Sequence, residues 1–279
     1  MLHQSILRGV FTPGILAQFS LRHKGGRLLC GPFPAIMRGK KRGARGVQRL
    51  LGELRRADER YHLIAAGDKI AVGVSGGKDS MALLALLRAY RGFSPRPFSL
   101  CALTIKLGEP FDTSPIAALC RAWDIPFILR ETDLLPTLAK EKNPCALCAR
   151  LRRGTLLRMA AEQGCQSLAL AHHREDALET YLMSALSEGR FYRLAPSANM
   201  ERAGVRVIRP LIDSPESALA ALCRRQGLPV LKNPCPVDGH TRRAEMRTLL
   251  SALEARCPGA NAHLLTALQK EREQELRNE

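Results

Sequence analysis

The stretch with the clearest chemical character is "VSGGKDSMALLALL", residues 74–87, which follows an apolar run and precedes a helical pattern. A strand, a glycine-rich turn and a helix start together bind phosphate well, because unpaired N–H groups and the positive end of the helix dipole face the anion. The turn offers two glycines that permit close backbone approach, one lysine that adds charge and two hydroxyl donors: Gly76, Gly77, Lys78, Ser75 and Ser80. This order of residue types predicts a phosphate-binding loop; a tight turn with a solvent-facing lysine is the structural alternative.

The loop departs from the Walker A pattern at two positions. Walker A loops need glycine six residues before the lysine and Ser or Thr directly after it, where this chain has Val72 and Asp79. "SGGKDS" resembles instead the PP-loop of the ATP pyrophosphatase superfamily. The resemblance implies that residues 75–80 hold ATP and that Lys78 and Asp79 take part in catalysis. An adenylyl group would pass to a substrate oxygen while the loop retains the departing pyrophosphate.

The cysteines form a second candidate site. Nine of them, without an evident disulfide framework, favour a reducing compartment and leave thiols for a metal. Cys145 and Cys148 stand in C-x-x-C spacing at a helix start in "NPCALCARLRRG", where the helix terminus favours thiolates. Cys235 lies between two prolines in "KNPCPVDGHTRR", which places a third thiol in a rigid loop. Four other cysteines fall in apolar patterns and are expected in the core: Cys101, Cys120, Cys165 and Cys223.

Spacing alone leaves the metal open. Three thiolates could hold a [4Fe-4S] cluster with one open iron, or zinc with a fourth ligand such as His240. A metal-free, redox-active C-x-x-C pair is a further alternative.

Four successive segments resemble the tRNA 2-thiocytidine synthetase family: the PP-loop, "CALCARLRRG", "ALAHHREDALET", and "VIRPL" followed by a late cysteine. The similarity covers about residues 47–253. Family members carry a [4Fe-4S] cluster on three cysteines, which fall on Cys145, Cys148 and Cys235. The resemblance implies an ATP-dependent tRNA sulfurtransferase with ATP, Mg²⁺ and the cluster as cofactors. It would adenylate O2 of a cytidine, at position 32 of the tRNA, and sulfide from the cluster would displace AMP from C2.

The same resemblance implies tRNA and a sulfur donor such as a cysteine desulfurase as partners, with a homodimer as a further expectation. The chain departs from the family pattern at Ala171, where glycine is usual, and at Glu175, where aspartate is usual. Other functions therefore stay open. A tRNA lysidine synthetase-like enzyme shares "AHH…ED…ET" but lacks the cysteine trio, and a uridine-thiolating enzyme is a nearer variant. A zinc-stabilised protein that binds ATP and tRNA without catalysis is the alternative from another class.

The segment "AHHRED", residues 171–176, is expected at the end of the fourth strand, beside the ATP site. Asp176 would reach Mg²⁺ or the reacting nucleotide, which gives it a catalytic role. His172 and His173 would orient phosphates or a leaving group. The competing explanation is that the helix dipole favours acids in a first turn without any further function.

Five arginines that follow the cysteines are expected to bind tRNA phosphates: Arg150, Arg152, Arg153, Arg242 and Arg243. Such contacts fix the position of the tRNA on the protein and do not select its sequence. A solvated helix face is the alternative. A formal charge of +17, with ten lysines and arginines ahead of the first acid, Glu53, agrees with a polyanionic partner. Aromatic residues make up only 5% of the chain, so the sequence identifies no base-stacking platform.

Apolar periodicity predicts the elements that must position these groups. Strands are expected at residues 69–74, 98–105, 126–130, 167–171 and 205–211, alternating with helices that begin near residues 46, 79, 114, 146, 174 and 214. Such alternation implies right-handed crossovers and an α/β fold of the PP-loop (adenine nucleotide alpha-hydrolase-like) type. Its sheet would be twisted and mostly parallel, with helices on both faces.

Three parts are expected along the chain. Residues 1–45 form a basic, disordered amino-terminal extension, explained either as an organellar transit segment or by a working start at Met37. Residues 46–235 form the PP-loop ATPase domain with the cluster-binding segment, and residues 236–279 a helical segment packed on it. The sequence lacks a run of about 18 uncharged apolar residues, so we expect no membrane span and a cytoplasmic location.

Overall fold

The computed structural model describes residues 41–106, 111–132, 144–231 and 242–278, with the backbone alone for residues 41–44, 144–145 and 275–278. The expected amino-terminal extension up to residue 40, with Met37, lies outside the described residues. So do Cys235, His240 and the side chain of Cys145.

Helices and strands alternate through the first two thirds of the described chain. The helices are α1 (Lys41–Tyr61), α2 (Lys78–Arg91), α3 (Ser114–Ala122), α4 (Pro144–Glu162), α5 (Arg174–Glu188), α6 (Glu216–Gln226), α7 (Arg242–Arg256) and α8 (Ala260–Asn278). The strands are β1 (Lys69–Gly73), β2 (Ser99–Lys106), β3 (Phe127–Glu131), β4 (Ser167–Ala169), β5 (Ser197–Met200) and β6 (Val205–Ile208). They form one sheet in the order β3-β2-β1-β4-β6-β5, parallel except for β5. The predicted α/β fold with a mostly parallel sheet is confirmed.

The sheet is buried on both faces, which explains why its central strands read as continuous apolar runs. Along β1, Ile70 and Val72 pack into a core cluster that includes residues of α1, α2, α3 and α6. Ala71, between them, joins a second cluster on the opposite face with Leu157 and Ala160 of α4. Strand geometry produces this division, because successive side chains point to opposite faces of a sheet.

The strand predictions differ from the structure at β4, β5 and β6. β5 was not expected, because "SANM" is short and lacks the apolar alternation by which strands are predicted. The strand predicted at residues 205–211 ends at Ile208, because Pro210 has no N–H group to donate to a neighbouring strand. The strand predicted at residues 167–171 ends at Ala169.

The last two helices pack on α5 through a small apolar cluster. It contains Leu178 of α5, Leu250 of α7 and Leu268 of α8, all nearly inaccessible to solvent. Within the described part of the chain, no helix combines the length and the apolar character needed to cross a bilayer.

A buried carboxylate joins α1 to α2. Asp58, which is fully buried, accepts hydrogen bonds from the Tyr90 hydroxyl at 2.7 Å, from Nη2 of Arg96 at 2.6 Å and from the Ile64 N–H at 2.9 Å. All of its partners lose their acceptor if this carboxylate is removed.

We therefore expect Asp58→Ala to lower the free energy of unfolding by about 3 kcal/mol, because it leaves buried donors unpaired. Urea unfolding followed by circular dichroism measures the loss. The matched control is Glu59→Ala on the same helix, whose pair with Arg55 is exposed and should contribute less than about 0.5 kcal/mol. Equal losses in the two variants would contradict this account of the buried carboxylate.

Candidate functional site

The predicted phosphate-binding loop joins β1 to α2 and is closed by its own side chains. The Ser80 hydroxyl donates to the Gly77 carbonyl at 2.8 Å and accepts from the Ser75 N–H at 3.2 Å. The Ser75 hydroxyl lies 3.2 Å from the same oxygen. These bonds fix a turn that directs the start of α2 toward the space above β1.

Gly76 occupies a position that requires glycine. Its φ of +82° lies in the left-handed region, and a Cβ there would sit 2.9 Å from Cζ of Phe111 and 3.2 Å from Cβ of Leu231. The Gly76 carbonyl accepts a hydrogen bond from the Leu231 N–H at 2.9 Å. The loop is therefore enclosed on one side by the chain that leads toward Cys235.

Lys78 lies between two carboxylates. Its Nζ is 2.9 Å from Oδ2 of Asp79 and 2.7 Å from Oε1 of Glu216, at the start of α6. Burial lowers the pKa of Lys78, but the hydrogen bonds with Glu216 and Asp79 outweigh it and leave that pKa above its usual value. The lysine therefore stays charged and joins the first turns of α2 and α6.

His173 closes the same network from the start of α5. Its imidazole is 3% exposed and lies 3.2 Å from Oε2 of Glu175 and 3.9 Å from Oδ2 of Asp79. Burial lowers the pKa of His173, whereas Glu175, Asp176 and Asp79 raise it, and the net shift is upward. Oε2 of Glu175 also accepts the Glu216 N–H at 2.9 Å, so the first turns of three helices meet at one point.

Asp176 belongs to a neighbouring network with α7. Its Oδ1 accepts from Nη1 of Arg243 at 2.8 Å, and its Oδ2 accepts the His173 N–H at 3.0 Å. Glu179, one turn further along α5, accepts from Nε of Arg247 at 2.8 Å, and burial raises the pKa of Glu179. Arg243, which the sequence assigns to tRNA phosphates, is here directed at Asp176.

Three side chains could hold a divalent cation. One ligand atom from each of Asp79, His173 and Glu216 lies within 4.8 Å of the other two. Oδ1 of Asp79 is buried and has no hydrogen-bond partner within the described chain, so one carboxylate oxygen remains available. The Lys78 ammonium contacts both carboxylates, so a cation could bind there once the lysine turns toward a phosphate.

A cavity of about 400 Å³ opens beside the loop, at the carboxyl ends of β1, β2 and β4. In the sheet, β1 lies between β2 and β4, so successive strands are added on one side of β1 up to β3 and on its other side from β4 onward. Open α/β sheets bind ligands at such a reversal of strand order. The lining combines apolar and polar side chains: Leu103, Ile105, Leu156, Ser75, Arg152 and His172. Apolar side chains together with phosphate-binding groups suit a nucleoside with its phosphates.

His172 lines this cavity, and the charge of Arg209 acts on it. Burial, aided by Arg209, lowers the pKa of His172 to about 4, so its imidazole is neutral at pH 7. Arg209 follows β6, is buried, and donates from Nη1 to the Ala195 carbonyl at 2.6 Å. Burial and the nearby Arg153 lower the pKa of Arg209 to about 10.

Sequence reasoning missed the roles of Glu216 and Arg209. Glu216 resembles any acid in the first turn of a helix, and its contact with Lys78 depends on how α6 packs. Arg209 carried a signal that could have been used, because an arginine directly after a buried strand in "VIRPL" must place its charge near that strand's carboxyl end.

Of the three cysteines predicted to bind a metal, the described side chains include that of Cys148, which is half-buried on α4. Ala149 and Arg152 of the same helix line the cavity, as does Arg153, whereas Arg150 and Arg242 are exposed. The four cysteines expected in the core are buried there: Cys101, Cys120, Cys165 and Cys223.

Comparisons with known proteins agree with this geometry. The PP-loop domain family matches residues 47–253. A tRNA-cytidine(32) 2-sulfurtransferase of Citrifermentans bemidjiense is 35% identical over 227 residues, which cover 79% of this chain and 89% of that protein. Its counterpart in Geobacter metallireducens is 37% identical over 220 residues, covering 76% and 86%. The solved structure of the U34-tRNA thiolase NcsA from Methanococcus maripaludis, with its [4Fe-4S] cluster, matches with a TM-score of 0.68 at 27% identity, covering 82% of this chain and 80% of that one.

We expect Gly76→Ala to weaken ATP binding by about tenfold or more, because the new Cβ would push the loop and its N–H groups away from Phe111 and Leu231. Isothermal titration calorimetry with ATP measures the change. The matched control is Gly67→Ala, which has a similar φ of +85° but no atom within 4 Å of the new Cβ. Both variants carry comparable backbone strain. If Gly76→Ala and Gly67→Ala bind ATP with equal affinity, the contacts of Gly76 with Phe111 and Leu231 do not contribute to ATP binding.

His172 should make stability fall as the pH drops below about 6.5. In the unfolded chain a histidine binds a proton near pH 6.5, but folded His172 does so only near its pKa of about 4. The unfolded state binds more protons between these values, so stability rises with pH there, by at most about 1.4 kcal/mol per unit. Urea unfolding at several pH values gives the free energy of unfolding as a function of pH. This free energy should depend less on pH in His172→Gln than in the wild-type protein, and an equal dependence in both would exclude His172 as the cause.

Proposed function

This chain belongs to the tRNA-cytidine(32) 2-sulfurtransferase family of PP-loop domain proteins, and from that premise we propose that it is an ATP-dependent tRNA thiolase. It would adenylate O2 of a tRNA cytidine and replace that oxygen with sulfur. The observation that carries the proposal is that the PP-loop and the cysteine-bearing helix α4 border one cavity at the carboxyl edge of the sheet.

The first step would use the loop and the three helix starts around Lys78. The N–H groups of the loop and the dipoles of α2, α5 and α6 favour negative charge at the same point, which suits the β- and γ-phosphates of ATP. Lys78 would exchange its carboxylate partners for these phosphates, which frees Asp79 and Glu216 as oxygen ligands for Mg²⁺. Cytidine O2 would then attack the α-phosphorus, with pyrophosphate as the leaving group.

The second step requires a sulfur nucleophile at C2 of the adenylated base. Cys145, Cys148 and Cys235 would hold a [4Fe-4S] cluster, which when bound supplies that sulfur. Two observations support the fit. Cys148 lies next to Ala149, which lines the cavity. The Leu231 N–H donates to the Gly76 carbonyl of the PP-loop, and the four residues from Leu231 to Cys235 span about 14 Å at most.

The chain's own residues would then orient the base and the leaving AMP. Neutral His172 can donate a hydrogen bond in the cavity without adding charge. Arg152 and Arg153 reach the cavity and would bind phosphates there, whereas Arg150 and Arg242 lie where tRNA phosphates can approach from solvent. A cysteine desulfurase as sulfur donor, the cytoplasm as location and a homodimeric state complete the proposal.

A second candidate is thiolation of a uridine, supported by the structural similarity to the U34-tRNA thiolase. Both reactions would use the same cavity, since they differ only in the base whose O2 is activated. Mass spectrometry of tRNA nucleosides from a strain that lacks the gene separates them. Loss of 2-thiocytidine supports the first candidate, and loss of 2-thiouridine supports the second.

Substitution of the cysteines tests the mechanism. Cys145→Ala, Cys148→Ala and Cys235→Ala should each lower bound iron and reduce thiolation by at least about a hundredfold, because a cluster held by two protein ligands is lost readily. Iron analysis after anaerobic purification and mass spectrometry of the treated tRNA give the two readouts. Cys257→Ala, at an exposed cysteine, is the matched control. Wild-type thiolation in all three variants would remove the cluster from the mechanism.

A further inference from the structure

An exposed aromatic segment follows α5. Residues 189–196, "GRFYRLAP", are called the aromatic loop below. In this loop the Phe191 side chain is 76% exposed and Tyr192 is 47% exposed. Adjacent exposed aromatic side chains are a candidate interaction site, because exposed apolar groups that adjoin one another mark such sites.

The backbone of the aromatic loop is held in place from several sides. The Ser184 hydroxyl accepts the Tyr192 N–H at 3.0 Å, and Nη2 of buried Arg272 donates to the Leu194 carbonyl at 3.0 Å. Leu194 is itself buried, and Arg209 donates to the Ala195 carbonyl at 2.6 Å. The exposed rings therefore sit on a fixed support, so a ligand that binds them need not first order the loop.

Each ring has one neighbour at stacking distance and keeps exposed surface. Phe191 stacks on Tyr181 of α5, with ring centroids 5.7 Å apart and planes 19° apart. The Arg190 guanidinium lies 5.7 Å from the centre of the Tyr192 ring. Arg190 also pairs with Glu188, but this pair is exposed, so the guanidinium can exchange its partner for a phosphate at little cost.

The aromatic loop is connected to the cavity through Arg209. This arginine donates its N–H to the Pro196 carbonyl at 2.8 Å and its Nη1 to the Ala195 carbonyl, and the residue before it, Ile208, accepts a hydrogen bond from the N–H of cavity-lining Leu170 at 2.9 Å. The end of the aromatic loop therefore lies beside the strand end that borders the cavity.

We propose that the aromatic loop is a stacking platform for unpaired bases next to the nucleotide that enters the cavity. The inference rests on the proposed function, because chemistry at C2 of a pyrimidine requires the base to leave its stack, and its neighbours then need new stacking partners. Open ring faces beside arginines are the features by which proteins bind single-stranded RNA. The chain's charge of +17 favours RNA over a protein partner of ordinary composition.

The test measures RNA binding and thiolation separately. The probe is a synthetic anticodon stem-loop with 2-aminopurine next to the target cytidine, whose fluorescence is quenched when the base stacks. We expect Phe191→Ala to raise Kd for this RNA and KM for tRNA by about tenfold, with kcat and ATP affinity close to wild type. Phe191→Trp should bind as tightly as wild type, because it keeps an aromatic face.

The matched control is Phe93→Ala, at a partly exposed ring that follows the carboxyl end of α2, far from the loop that begins this helix. This variant should bind the stem-loop with wild-type affinity and should quench the 2-aminopurine fluorescence as strongly as the wild-type protein. Thermal unfolding of each variant is compared with wild type, so that loss of fold is not read as loss of binding.

The two proposals fail in different ways. If the wild-type protein thiolates no tRNA yet quenches the probe through Phe191, the platform is supported and the proposed function is lost. If the wild-type protein thiolates tRNA while Phe191→Ala matches it in Kd, KM and quenching, the platform is overturned and the aromatic loop serves another partner.

Discussion

The ion pairs of Lys78 with Asp79 and Glu216 are the interaction on which the site depends. Two carboxylates at the starts of α2 and α6 lie close together, and an ammonium between them compensates their repulsion. The same contacts fix α6 against the phosphate-binding loop. Without this cation, the first turns of α2 and α6 would be pushed apart at the point where the phosphates of ATP are proposed to bind.

Two charge networks meet at the start of α5 and serve different elements. Glu175 and His173 face the phosphate-binding loop and α6, whereas Asp176 and Glu179 face α7 through Arg243 and Arg247. Because residues 173–179 belong to both networks, the carboxyl-terminal helices are tied to the same turn that borders the cavity. The acids of "AHHRED" therefore have structural partners as well as positions suited to chemistry.

The sequence was most informative where the determinants are local. The order strand, glycine turn, helix specifies the loop around Gly76, and apolar patterns place the buried cysteines in the core. Contacts between distant segments were not predictable in the same way. Glu216 meets Lys78 only because α6 packs on α2, and β5 pairs with β6 although its own residues lack a strand pattern. Nor does the sequence show that α5 brings the Asp176 carboxylate to Arg243.

The hydrogen bond from the Leu231 N–H to the Gly76 carbonyl has a thermodynamic consequence. It joins the PP-loop around Gly76 to the segment that ends at Leu231, four residues before Cys235. When two segments share such a bond, a ligand that stabilises one conformation of the first alters the second, and the coupling free energy is equal in both directions. If the PP-loop binds ATP as proposed, ATP binding and the backbone conformation at Leu231 are coupled through this hydrogen bond.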